Sequence, residues 1–121
     1  MRGKTICIDF DGVIAEYKKF EGKGIFGEII QGAKENICKL KDEGWIIIIY
    51  TTRSETDLIY EYLINNGISP DYINYNPKNS ELGLNLGKPI ADIYLDDRAI
   101  NFDGRWDLTF DKIKNFKRIK Q

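Results

Sequence analysis

The chemistry open to this chain is narrowed first by a residue it lacks: its 121 residues contain no histidine. Ser-His-Asp and Cys-His nucleophile pairs are excluded, and so is every His-ligated metal site. Acid–base and nucleophilic work falls to carboxylates, lysines, tyrosines, hydroxyls and thiols. Four pieces have residue types and order suited to it: Asp9-Phe10-Asp11-Gly12, Thr51-Thr52-Arg53, Lys88 in Gly87-Lys88-Pro89, and Asp96-Asp97-Arg98. Carboxylates converging at one place repel unless a cation or bound protons compensate. Oxygen donors without His or Cys suit a hard ion, Mg²⁺ before Ca²⁺, and Mg²⁺ above all if the substrate carries phosphate. Lys88, Thr51 and backbone amides near Gly12 could grip phosphate oxygens. Without histidine, an aspartate is the natural nucleophile, forming an acyl-phosphate, and a second aspartate the acid and base. Taken singly, each piece also reads as a loop cap, a strand end or a surface lysine. Their order and shared placement at strand ends carry the signal.

The elements that must position these residues alternate along the chain. Residues 5–10 (TICIDF) read as a buried strand, and residues 33–43 as a helix in which Ala33, Ile37 and Leu40 keep helical spacing before Gly44. The unbroken apolar run at 45–50 (WIIIIY) belongs to a strand covered on both faces. Ser54 reads as an N-cap with Asp57 in the first turn, Leu58, Ile59, Tyr62 and Leu63 as one helical stripe, and Gly67 as its stop. A short strand at 72–75, an Asn- and Gly-rich loop at 76–87, a buried strand at 91–95 and a last strand at 106–110 follow. The tail, 111–121, reads as the solvated face of a closing helix. Between Asp11 and the first helix, the turn-rich centre Lys18-Lys19-Phe20-Glu21-Gly22-Lys23-Gly24 suggests a small hairpin flap around 13–27. This alternation predicts an α/β fold, a Rossmann-like three-layer sandwich around a central parallel sheet with right-handed crossovers, as a single domain over 1–121. In such sheets ligands bind outside the carboxyl ends of the strands, where three of the pieces lie beside Asn74 and Asn76, while Lys88 precedes the fourth strand on a loop free to fold back over that edge.

Composition sets the broad class. Lys and Arg number 18 against 19 Asp and Glu, so no overall charge points to nucleic acid or membrane. With 42% hydrophobic and 31% charged residues, the chain has a soluble globular profile and needs no disulfide to fold. Cys7 and Cys38 sit in apolar stretches and read as reduced core thiols. The start, MRGKTICIDFDG, shows no signal peptide, and the longest apolar run is too short to span a bilayer, so a cytoplasmic location is expected.

These motifs resemble those of the haloacid dehalogenase-like (HAD) superfamily of phosphohydrolases. The first, a hydrophobic strand followed by Asp-x-Asp-Gly-[Thr/Val], is matched by Ile6-Cys7-Ile8-Asp9-Phe10-Asp11-Gly12-Val13-Ile14. The second is matched by Ile46-Ile47-Ile48-Ile49-Tyr50-Thr51, the third by Lys88, and the fourth by Ile93-Tyr94-Leu95-Asp96-Asp97. The pattern is similar to small bacterial members without a cap domain and spans about residues 4–110. The resemblance implies that Asp9 is the nucleophile and a Mg²⁺ ligand. It implies that Asp11 protonates the leaving oxygen, then activates water, and binds the metal through its backbone carbonyl. Thr51 and Lys88 would hold the phosphoryl group, and Asp96 and Asp97 would complete the metal site, one directly and one from the outer shell. Gly12, Thr52 and Arg53 are read as substrate contacts, although Arg53 and Arg98 lie outside the family's motifs, and either could reach a substrate anion. Lys78 is the alternative to Lys88, and Asp92 starts its strand at the wrong end for the site.

The expected activity is thus Mg²⁺-dependent hydrolysis of a phosphomonoester through an aspartyl-phosphate on Asp9. Two rivals stand beside it: a family member that only binds phosphate or regulates, and a receiver-type phospho-acceptor domain. A receiver needs its phospho-accepting Asp after a middle strand, where this chain has Thr51-Thr52-Arg53. The partner is a phosphorylated substrate, either a small molecule or a macromolecular end. No membrane partner is expected, nucleic acid enters only as substrate, and a homo-oligomer could cover an open site.

Overall fold

The computed structural model describes residues 4–117. Four parallel strands, β1 (Thr5–Asp9), β2 (Ile46–Tyr50), β3 (Tyr72–Ile73) and β4 (Ile93–Leu95), form one sheet in the order β3-β2-β1-β4. Helices α1 (Ala33–Asp42) and α2 (Thr56–Asn65) connect the first three strands, α3 (Lys78–Glu81) lies in the return to β4, and α4 (Trp106–Lys114) closes the described chain. The expected α/β class with a parallel sheet is therefore present. Strand order reverses at β1, with β2 on one side and β4 on the other, so the neighbouring carboxyl ends open into a crevice.

The apolar run of β2 is split by its pleat. Ile47 and Ile49 join Ile6 and Ile8 of β1 on one face, where Ile37 of α1 and Ile59 and Leu63 of α2 complete the core. On the other face Cys7 meets the buried Pro89, its Sγ 3.9 Å from the Pro89 carbonyl oxygen. That face is covered by the return segment rather than by a long helix. Asn79 organises the segment: its Nδ2 donates to the Asn85 and Lys88 carbonyls and its Oδ1 accepts from the Ile90 amide. Most of the expected Asn-rich loop is thus fixed by one buried amide.

Several expectations need correction. Residues 106–110 are helical, within α4, not a strand. Trp106, Leu108 and Phe110 alternate as a strand would, yet Trp106, Phe110 and Ile113 also lie four and three apart, as on a helix. The strand at 91–95 is not buried: β4 is an edge strand, and Ile93, Tyr94 and Leu95 are 40–49% exposed. Ser54 does not cap α2. Glu55 holds the N-cap position, and its carboxylate turns inward instead of capping. Cys7 is buried, whereas Cys38 is only half-buried; both thiols are free. Residues 118–121 of the expected closing helix lie outside the described residues.

Candidate functional site

Beyond β1 the chain turns at once, with the Phe10 carbonyl accepting from the Ile14 and Ala15 amides at 2.9 and 3.1 Å. The turn leaves Asp9 at the strand end, buries Phe10 and sends Asp11 to the far side. Phe10 anchors it by edge-on contacts with Phe26 and Tyr62, ring centroids 5.2 and 5.5 Å away. Residues 14–16 then pair with 28–30 through Glu16 to Glu28 and Ile30 to Ile14 hydrogen bonds, closing a loop where the sequence suggests a flap. Gly12 takes a left-handed φ of 87°, and a β-carbon there would collide with the Asp97 carboxylate. Gly12 is thus the gap that lets the acids after β4 approach β1.

Oxygens of Asp9, Asp96 and Asp97 all lie within 4.8 Å of one another. Asp9 accepts from the Phe10 amide at 2.9 Å, and Asp96 accepts from the Arg98 amide at 2.8 Å. Burial, then a hydrogen bond with Asp97, then the charges of Asp96 and Asp97, push the Asp9 carboxyl from 3.8 up to about 7; the Phe10 amide offsets this in part. Carboxylates this close together favour a bound proton or a cation between them. Three hard oxygen donors at this spacing could hold a divalent cation.

Thr51 is fixed from β3. Its amide donates to Asn74 Oδ1 at 2.7 Å and its carbonyl accepts from Asn74 Nδ2 at 2.9 Å. Asn74 manages this from a left-handed φ of 55°, which also ends β3 short of the expected residue 75. Thr51 Oγ1 accepts from the Arg53 amide at 3.1 Å, so its O–H remains to donate. A cleft of about 180 Å³ is lined by Asp9, Asp11, Tyr17, Thr51, Thr52, Asp96 and Arg98.

Arg53 does not line that cleft. All five of its N–H donors are taken by protein: Nε and Nη2 fork Asp11 at 2.6 and 3.1 Å, and Nη1 reaches Glu55 at 3.0 Å. The carbonyls of Gly22 and Ile25 take the rest at 3.3 and 3.2 Å. Burial alone would lower the Arg53 value, but Asp11 and Glu55 together hold it above the ordinary one. The Asp11 carboxylate thus faces Arg53 and is not part of the Asp9, Asp96 and Asp97 cluster. Lys88 also stands outside the cleft lining, its Nζ 4.4 Å over the ring of Tyr94, two residues before Asp96. Lys78 pairs with Glu81 and borders Thr5 and Asp92, at the opposite end of the sheet. Asp92 indeed serves that end, accepting from the Thr5 amide at 2.8 Å.

Asn74 belongs with the polar residues that the sequence puts beyond the third strand, whereas Tyr17 and Glu55 are not marked by sequence for these roles. Tyr17 lies in a stretch without periodicity, and Glu55 carries no mark of burial beyond its place two residues after Arg53.

Fold and site together define a parallel α/β chain with an acidic cluster and a threonine at the carboxyl ends of its strands. No family of known proteins matches the chain, and no curated protein does. The chain is similar to the solved structure of a conserved protein from Bacteroides thetaiotaomicron. The two share 28% identity over 91% of this chain and 88% of that one, with a TM-score of 0.67.

Proposed function

We propose that this chain is a Mg²⁺-dependent phosphatase of HAD-like fold without a cap, hydrolysing a phosphomonoester through an aspartyl-phosphate on Asp9. The observation that carries the reading is the meeting of Asp9, Asp96 and Asp97 oxygens within 4.8 Å of one another, beside a cleft that Thr51 also lines. Asp9, Asp96 and Asp97 would hold Mg²⁺, which when bound neutralises the acids and polarises the phosphoryl group. Asp9 attacks phosphorus through a carboxylate oxygen, and the bond to the leaving oxygen breaks as that oxygen takes a proton from Asp11. Water then displaces the phosphoryl group from Asp9, giving its proton to Asp11 and restoring both residues. Asp11 lines the same cleft while Arg53 forks both of its oxygens. Thr51 donates its hydroxyl to the phosphoryl group, and Lys88 reaches it on a flexible stem from its place over Tyr94. Arg98 lines the same cleft, where it meets the anionic part of the substrate.

The test is sustained phosphate release from an aryl phosphate. EDTA should abolish it, Mg²⁺ restore it and Ca²⁺ support it poorly. Asp9→Asn should remove at least about 99% of turnover while the fold persists, since a displacement worth several kcal/mol is lost. Full turnover after exhaustive chelation, or in Asp9→Asn, would sink the mechanism. One phosphate per chain without further release would instead favour a phospho-acceptor.

A further inference from the structure

The loop from 17 to 27 is gathered around one guanidinium. Besides the carbonyls of Gly22 and Ile25, Arg53 has the rings of Phe20 and Phe26 against it, at 5.2 and 4.9 Å from the guanidinium carbon. Glu55 completes the knot by accepting from the Gly24 amide at 3.0 Å as well as from Arg53. Both side chains are nearly buried, 5% and 6% exposed. The same loop supplies Tyr17 to the cleft, and the same guanidinium forks Asp11. A planar fork can hold a carboxylate in one orientation and two carbonyls at once, which a lysine cannot do. A buried ion pair is also poorly explained by stability alone, because well-packed apolar residues of similar volume often do as well or better.

We propose that Arg53 is a positioning residue, a latch that fixes the loop from 17 to 27 and the Asp11 carboxylate in one arrangement around the cleft. Arg53 never touches substrate. It sets the wall that carries Tyr17 and the angle from which Asp11 works. The kinetic part of this assignment rests on the phosphatase reading; the structural part does not.

Arg53→Met strands Glu55 as a buried unpaired charge, so the informative variant is Arg53→Met with Glu55→Met, which removes the pair together. Measured on the full chain, its sheet should give a native circular-dichroism spectrum and a cooperative melt. Amides in 20–26 should exchange with deuterium at least about 10-fold faster than in wild type. With Mg²⁺ and an aryl phosphate, kcat should fall about 100-fold, because a misplaced group is costly in the transition state. KM should move less than about 3-fold, because binding contacts remain. Arg53→Lys keeps the charge without the fork and should recover less than about a tenth of kcat. Phe20→Ala, which trims an exposed ring and leaves the core intact, should also speed exchange in 20–26.

Wild-type exchange in both the double variant and Phe20→Ala would overturn the latch. Fast exchange with wild-type kcat would overturn the positioning of Asp11. If wild type itself turns over no phosphate ester, the phosphatase reading falls, and exchange alone decides the latch.

Discussion

Asp9 is a carboxylate whose value is pushed from 3.8 to about 7, first by burial and then by its contacts with Asp97 and Asp96. A folded value above the unfolded one means that the folded chain binds this proton better. Its contribution to stability is therefore full below 3.8 and is lost as pH rises through about 7. A divalent cation competes with that proton. Adding Mg²⁺ should therefore raise the melting temperature more at about pH 8 than at about pH 5, and should release protons in calorimetry. Equal shifts at both pH values would mean that the cation does not bind at Asp9. The two lysines offer a second comparison. Lys88→Met should impair KM and kcat together if Lys88 reaches the phosphoryl group from over Tyr94 as proposed, whereas Lys78→Met should be nearly silent at the far end of the sheet. A dead Lys78→Met beside a normal Lys88→Met would reverse the assignment. The sequence already singled out Asp9, Thr51, Asp96 and Asp97, because each ends an apolar run. It could not reveal that Arg53 faces inward, since that depends on carbonyls about 30 positions away.

At the scale of elements, the turn after β1 depends on Gly12 for two reasons, its left-handed backbone and the space it leaves for Asp97. Gly12→Ala should cost about 1–3 kcal/mol in urea titration, and should weaken Mg²⁺ binding by pushing Asp97 away from Asp9. Loss of stability with unchanged metal affinity would show that the gap does not serve the acids. The strands β1 and β2 and helix α1 were legible because burial and periodicity agree there: β2 is a run of isoleucines with both faces packed, and α1 stops just before Gly44, which takes a left-handed φ of 91°. β4 and α4 were misread for one common reason. Their apolar residues, among them Leu95 and Trp106, face outward at 49% and 71% exposure, so the pattern advertised a burial that the fold does not provide. The start of α2 was missed because Glu55 is committed to Arg53 and Gly24, a tertiary bond that outweighs a local cap.

For the whole molecule, parallel topology was readable from the alternation of strands and helices, but the thickness of its layers was not. Two helices cover one face, and a segment fixed by Asn79 covers the other. Among the described residues no helix is long and apolar enough to cross a membrane. The segment under Asn79 has a consequence for Cys7, which sits in β1 two residues before Asp9. Burial pushes its thiol up to about 11, with the charge of Lys88 offsetting part of the shift. The thiolate that alkylating reagents need is therefore scarce, and Pro89 blocks the approach. Cys38 on α1 is only half-buried, with its Sγ 3.6 Å from the Gly67 carbonyl oxygen. An iodoacetamide time course read by mass spectrometry should label Cys38 early and Cys7 only when β1 leaves the sheet. Mg²⁺ should slow the second reaction and not the first; equal rates at both thiols would refute the shielding. Cys7 is thus a built-in clock for global opening, needing no engineered probe and ticking beside the residue proposed to do the chemistry.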